Sequence, residues 1–245
     1  MPPARSTGGR LLARTGAHYR RCYDRRGFLR LLGMTAGAAV LAHGGVDAAA
    51  DRWRRRRAPD PRLDALSGAL RPLGERFWFL VWAGFAVLDT WAGGNAVTRW
   101  GRRNFQTMVV GLPALWTIQR VGGASRPTDA PGSPRYRPFA DDNTASGHTF
   151  VSAIPWLHLA RARGGGGWRR RLGRAAAWAA SWGTGWSRFH DGKHYLSQVL
   201  LGYAIAWHAV AAVDAVEDRA AADVPAGDAP AHDDPAAGPG TGDPA

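Results

Sequence analysis

The chain carries three short polar stretches whose residue types suit the handling of a phosphoryl group. The first is Gln119-Arg120, followed within a loop by Ser125-Arg126-Pro127. The second runs Thr144-Ala145-Ser146-Gly147-His148-Thr149. The third opens with Ser187-Arg188 and ends with His194 and Gln198. An arginine fork grips phosphate oxygens two at a time, which the point charge of a lysine does not reproduce. Ser146-Gly147 at a helix N-terminus offers unpaired backbone N–H groups and the positive end of the helix dipole, a ready anion site. Two histidines beside such a site, His148 and His194, can share the work at neutral pH, one attacking and one protonating. Gln198 lies four residues after His194, so on a helix its amide can touch and orient the imidazole.

In this order the stretches resemble the three signature motifs of the type 2 phosphatidic acid phosphatase / vanadium haloperoxidase superfamily, in its membrane-associated phosphatase branch. That family's pattern is a lysine, six residues and Arg-Pro; then Pro-Ser-Gly-His; then Ser-Arg, five residues, His, three residues and Asp. Arg126-Pro127, Ser146-Gly147-His148, Ser187-Arg188 and His194 match it at the same internal spacing. The likeness covers roughly residues 60–215, and three ordered motifs are specific where one would not be. The resemblance implies that His194 attacks phosphorus to give a phosphohistidine and that His148 protonates the leaving oxygen. It further implies that Arg126 and Arg188 clamp the phosphoryl oxygens, while Ser146 and the Gly147 backbone complete the cradle. The implied substrate is a phosphomonoester or diphosphate on a lipid. No cofactor or metal is implied, since arginines and backbone dipoles supply the charge stabilisation.

Three departures from the pattern bear on activity. The lysine position is Gln119, with Arg120 beside it as a substitute for the lost charge. The proline before Ser146 is Ala145. The aspartate that orients the nucleophilic histidine is Gln198. An amide oxygen still accepts the imidazole N–H but adds no charge to steady the imidazolium. In serine-protease triads the corresponding neutral replacement costs about 10⁴ in turnover. Two further readings therefore stay open. A phosphate cradle also holds vanadate, as in a vanadate-dependent haloperoxidase, and a weakened site suits a non-catalytic binder of phosphorylated headgroups.

Charge-free runs mark the elements that must gather these stretches: Leu31–Val46, Phe77–Leu88 continuing to Thr98, Asn104–Gln119, Asn143–Ala160, Ala175–Ser187 and His194–Val213. Ala, Leu and Trp dominate them, which predicts an all-α bundle of about six helices. If consecutive helices alternate up and down, all three polar stretches fall at one end. Only His194–Val213 reaches the roughly 20 residues that cross a bilayer. Arg99, Arg102 and Arg103, and the arginines from Arg161 to Arg174, fit the cytoplasmic loops of a multi-pass cell-membrane protein with its site outside. The run Arg54–Arg57 opposes that topology.

The two ends differ from the middle. Residues 1–30 hold eight arginines and end in Arg25-Arg26-Gly27-Phe28-Leu29-Arg30. Residues 1–50 thus read as a twin-arginine-like export signal or as a first membrane helix with a basic flank. Residues 51–215 form the phosphatase-like domain. Residues 216–245 carry seven acids and one arginine among Ala, Pro and Gly, which predicts a disordered acidic tail that buries too little to offset its ordering entropy. The net charge of +13, from 31 arginines and the single Lys193 against 19 acids, calls for anionic partners. Without a nucleic-acid-binding motif, those partners are a membrane and a phosphorylated substrate rather than nucleic acid. One cysteine, Cys22, excludes an internal disulfide framework and a cysteine-built zinc cage.

Overall fold

A computed structural model of the protein describes residues 7–91, 94–129, 133–162 and 166–223. Among the described residues there are nine α-helices and no strand: α1 (Thr7–Cys22), α2 (Arg25–His43), α3 (Val46–Arg56), α4 (Pro61–Leu70), α5 (Trp78–Trp91), α6 (Ala96–Gly122), α7 (Gly147–Arg161), α8 (Trp168–His190) and α9 (Leu196–Ala222). A 3₁₀ turn, Arg71–Gly74, links α4 to α5. The all-helical expectation holds, and the count of about six does not. The charge-free runs pass over α1, α3 and α4, which bury only a narrow stripe each. That stripe is His18 and Cys22 on α1, Asp47 and Asp51 on α3, and Ser67 on α4. Their arginines keep the charged heads in solvent while the stems cover the bundle.

α9 is the hub, packing against α1, α2, α6, α7 and α8. Leu201, Ile205 and Val210 from α9 meet Met108 and Leu115 from α6 and Phe150, Ile154 and Leu157 from α7 in one core. Gly202 lets α9 approach the start of α7, because a Cβ there would lie 2.4 Å from the Ser146 carbonyl oxygen. α6 through α9 alternate in direction, so the end of α6, the start of α7, the end of α8 and the start of α9 share one end of the bundle.

The N-terminal helices belong to the same body. Pro113 inside α6 has no N–H to bond the Val109 carbonyl. Tyr19 of α1 supplies the missing donor, its hydroxyl lying 3.0 Å from Val109 O. The next rung is opened by Tyr23, whose hydroxyl donates to Val110 O at 2.7 Å and accepts from Ala114 N–H at 3.1 Å. Asp47 of α3 accepts from the Ser197 backbone N–H at 2.8 Å and from its hydroxyl, so it caps α9 beside Gln198. α1, α2 and α3 thus pack directly on α9, and α1 on α6 as well. Arg54 of the arginine run pairs with Asp51 at 2.7 Å, and Arg57 lies over Trp53.

The far end of the bundle holds an ion-pair network. Glu217 receives Arg102 at 2.9 Å and His18 at 3.1 Å, and Arg102 also reaches Asp89 at 2.6 Å. Asp214 receives His158 at 2.8 Å and Arg161 at 3.1 Å. This corrects the boundary expected at residue 216, since α9 runs on to Ala222. Glu217 and Asp218, read as solvated tail, are paired with Arg102 and Arg103 of α6, which offsets the cost of ordering them. The expected tail beyond residue 223 lies outside the described residues. α9 is long and apolar enough to cross a membrane, and α2 with α3 passes the same test across a bend of 58°.

Candidate active site

A hollow of about 600 Å³ opens at the end where α6 to α9 converge. His148, His194, Arg126, Asn143 and Gly147 line its polar end. Phe79, Met108, Leu112, Leu115 and Trp116 make an apolar wall opposite. Three of the four side chains expected to grip and cleave a phosphoryl group, Arg126, His148 and His194, thus share one space.

His194 sits in the turn between α8 and α9 and is buried except for the edge on the hollow. Its Nδ1 lies 2.9 Å from Gln198 Oε1. Two further bonds fix the orientation of that amide. The Tyr195 backbone N–H, which can only donate, reaches Gln198 Oε1 at 3.1 Å. The Ser125 carbonyl, which can only accept, takes Gln198 Nε2–H at 2.9 Å. His194 Nδ1 must therefore donate, and the lone pair of the neutral ring sits on Nε2. Burial pushes the His194 pKa down to about 3; the Gln198 bond opposes this, and the nearby Arg126, His148 and Arg188 add to it. The ring is neutral at physiological pH, the form that can attack.

His148 is the second residue of α7. Burial, then the charge of Arg188, lowers its pKa below the ordinary imidazole value, and Glu75 acts the other way. Arg126 projects from the α6–α7 loop, where its Nε donates to Asn143 Oδ1 at 2.8 Å, and Asn143 is itself held by Asp141 at 2.7 Å. Arg188 does not form part of the wall, although its charge acts on both histidines. It is nearly fully buried at the end of α8, paired with Asp191, and its Nε has no hydrogen-bond partner. A buried, unbonded guanidinium N–H beside a hollow is a place for an anion oxygen.

Two expected phosphate contacts fall elsewhere. Arg120 is exposed and does not line the hollow. One step along a helix turns the side chain by about 100°, so Arg120 cannot share the direction of Gln119. Gln119 does line the space, with its amide donating to Ala145 O at 2.8 Å. Ser146 is fully buried and caps α7, accepting from Thr149 N–H at 3.3 Å, while its own N–H donates to Gln198 O at 2.8 Å. The backbone N–H groups left at this helix start are those of Gly147 and His148. Sequence reasoning missed Asn143, Asp191 and Glu75. Asp191 had a legible signal, three residues after Arg188 at a helix end. Asn143 and Glu75 reach the site only through tertiary packing.

Residues 113–219 match the family model of the PAP2 superfamily. Through this region the chain is similar to the PAP2 superfamily. The match contains Arg126, His148, Arg188, His194 and Gln198 and excludes α1 to α5. Among solved structures, the chain is similar to a transmembrane PAP2-type phosphatidylglycerolphosphate phosphatase from Bacillus subtilis. The TM-score is 0.54 at 16% identity, over 78% of this chain and 94% of that one. At that identity the likeness concerns the fold. No curated protein sequence matches the chain.

Proposed function

We propose that this protein hydrolyses a phosphomonoester or diphosphate, carried on a lipid, through a phosphohistidine. The carrying observation is one hollow in which a neutral, amide-oriented imidazole, a second histidine and an arginine face an apolar wall. His194 Nε2 attacks phosphorus, the P–N bond forms and the P–O bond to the leaving group breaks. His148 gives its proton to the departing oxygen. Arg126, Arg188 and the N–H groups of Gly147 and His148 take up the charge on the equatorial oxygens. Water, deprotonated by His148, then attacks the phosphohistidine and releases phosphate.

The apolar wall supports the lipid part of the reading, since it suits a hydrocarbon chain beside the phosphate. Leu80, Val87, Leu88 and Trp91 on α5 and Leu32 and Val40 on α2 are exposed, which supports a membrane-embedded body together with the length of α9. Arg102, Arg103 and Arg161 belong to the end remote from the hollow, which supports a site facing away from the cytoplasm. The test is phosphate release by the full-length protein in detergent micelles from phosphatidate, a polyprenyl diphosphate and 4-nitrophenyl phosphate. His194→Ala is expected to lose roughly 10³-fold or more in turnover. Wild-type rates from His194→Ala on all three substrates overturn the reading.

A further inference from the structure

The 3₁₀ turn Arg71–Gly74 packs against α7, and Gly74 is the point of contact. A Cβ at Gly74 would lie 2.6 Å from the His148 carbonyl oxygen and 2.9 Å from its Cα, so only glycine permits this approach. The approach delivers the next side chain to the imidazole. Glu75 Oε1 stands 3.5 Å from His148 Nε2, and both side chains are about a third exposed, at 38% and 35%. Glu75 lies outside the stretch that matches the PAP2 superfamily, so none of the three motifs contains it.

The charges around His148 are otherwise cationic at close range. Arg188 acts on it from α8 and Arg126 from the α6–α7 loop. His194 lines the same hollow, as do Arg76 and Asp142, and Arg71 Nε lies 3.6 Å from the same Glu75 Oε1. A general acid must begin the reaction protonated, and two guanidinium groups in a partly buried site work against that. One carboxylate at the ring edge restores the balance.

We propose that Glu75 is a positioning residue for His148, holding the ring as imidazolium beside the hollow so that a ring N–H can pass its proton to the leaving oxygen. Glu75 gives up no proton itself. The proton moves from His148 to the oxygen whose bond to phosphorus breaks, and the carboxylate steadies the charge beforehand. This inference rests on the reading of His148 as the acid in a phosphatase.

The experiment compares two substrates that differ in their need for that proton. Nitrophenolate leaves readily without one, whereas the alkoxide of an alkyl phosphate does not. With the full-length protein in micelles, Glu75→Gln is expected to lower kcat/KM roughly tenfold or more for the alkyl phosphate and less than about twofold for 4-nitrophenyl phosphate. Glu75→Asp keeps the charge one methylene further off and is expected to fall between Glu75→Gln and the wild type. The alkaline limb of the pH profile is expected to move to lower pH in Glu75→Gln. Equal losses on both substrates mean a purely structural role and overturn the proposal. If the wild type cleaves neither substrate, the phosphatase reading fails, and NMR titration of His148 decides the rest. A midpoint lowered by Glu75→Gln upholds the link, and an unmoved one sinks it.

Discussion

Two buried histidines at opposite ends of the bundle show how similar parts take different roles. His158, near the end of α7, has both ring nitrogens engaged: Nδ1 with Asp214 at 2.8 Å and Nε2 with Thr107 at 2.9 Å. Thr107, His158 and Asp214 have the connectivity of a hydroxyl–imidazole–carboxylate relay, yet Thr107 is fully buried and does not line the hollow. His194 at the start of α9 uses only Nδ1, on an amide, and its other edge meets the hollow. The carboxylate stands where charge is already matched, and the neutral partner stands where an anion is proposed to enter. A histidine is available for chemistry when one nitrogen is oriented and the other is left open, whichever partner does the orienting.

The largest expected effect that sharpens this contrast comes from Arg188→Lys. The lysine keeps the charge but loses the fork, and kcat/KM should fall about 100-fold with the melting temperature nearly unchanged. A fall within twofold would mean that Arg188 grips no phosphoryl oxygen. At the other end, His158→Ala should leave turnover per folded molecule as it was and cost roughly 2 kcal/mol of stability, read from a urea midpoint in micelles. A large loss of turnover there would break the division between the two ends.

The smallest effect concerns pH. With its folded pKa near 3, His194 stays neutral while the unfolded chain takes up a proton below about pH 6.5. Its contribution to stability is therefore full above pH 6.5 and declines as pH falls toward 3. Gln198→Glu places a carboxylate beside the ring, which raises that pKa and flattens the decline. It also costs about 1 kcal/mol at pH 7, because the Ser125 carbonyl loses its donor. Urea midpoints at pH 7 and pH 5 measure both, and a steeper decline than that of the wild type contradicts the assignment.

The core helices were legible because they are charge-free: α6, α7 and α9 all appear as apolar runs. α1 and α3 were not, because an arginine-rich helix buries its stripe under charged side chains and hides its period. Tyr19 and Tyr23 have no local signal for their role, which is to complete a ladder that Pro113 interrupts some ninety residues later. The acids at 217 and 218 look like tail until Arg102 and Arg103 are brought against them.

Residue order alone singled out Arg126, His148, Arg188 and His194, by type and spacing, as the groups proposed to carry the chemistry. The charge-free runs also put them at or between helix ends. Tertiary packing decided what each one faces: it sent Arg120 outward, spent Ser146 on a cap, and brought Asn143, Asp191 and Glu75 in from positions with little or no spacing rule. The reason is geometric. A short motif specifies a residue and its backbone, whereas the partner that orients it comes from whichever helix the core forces alongside.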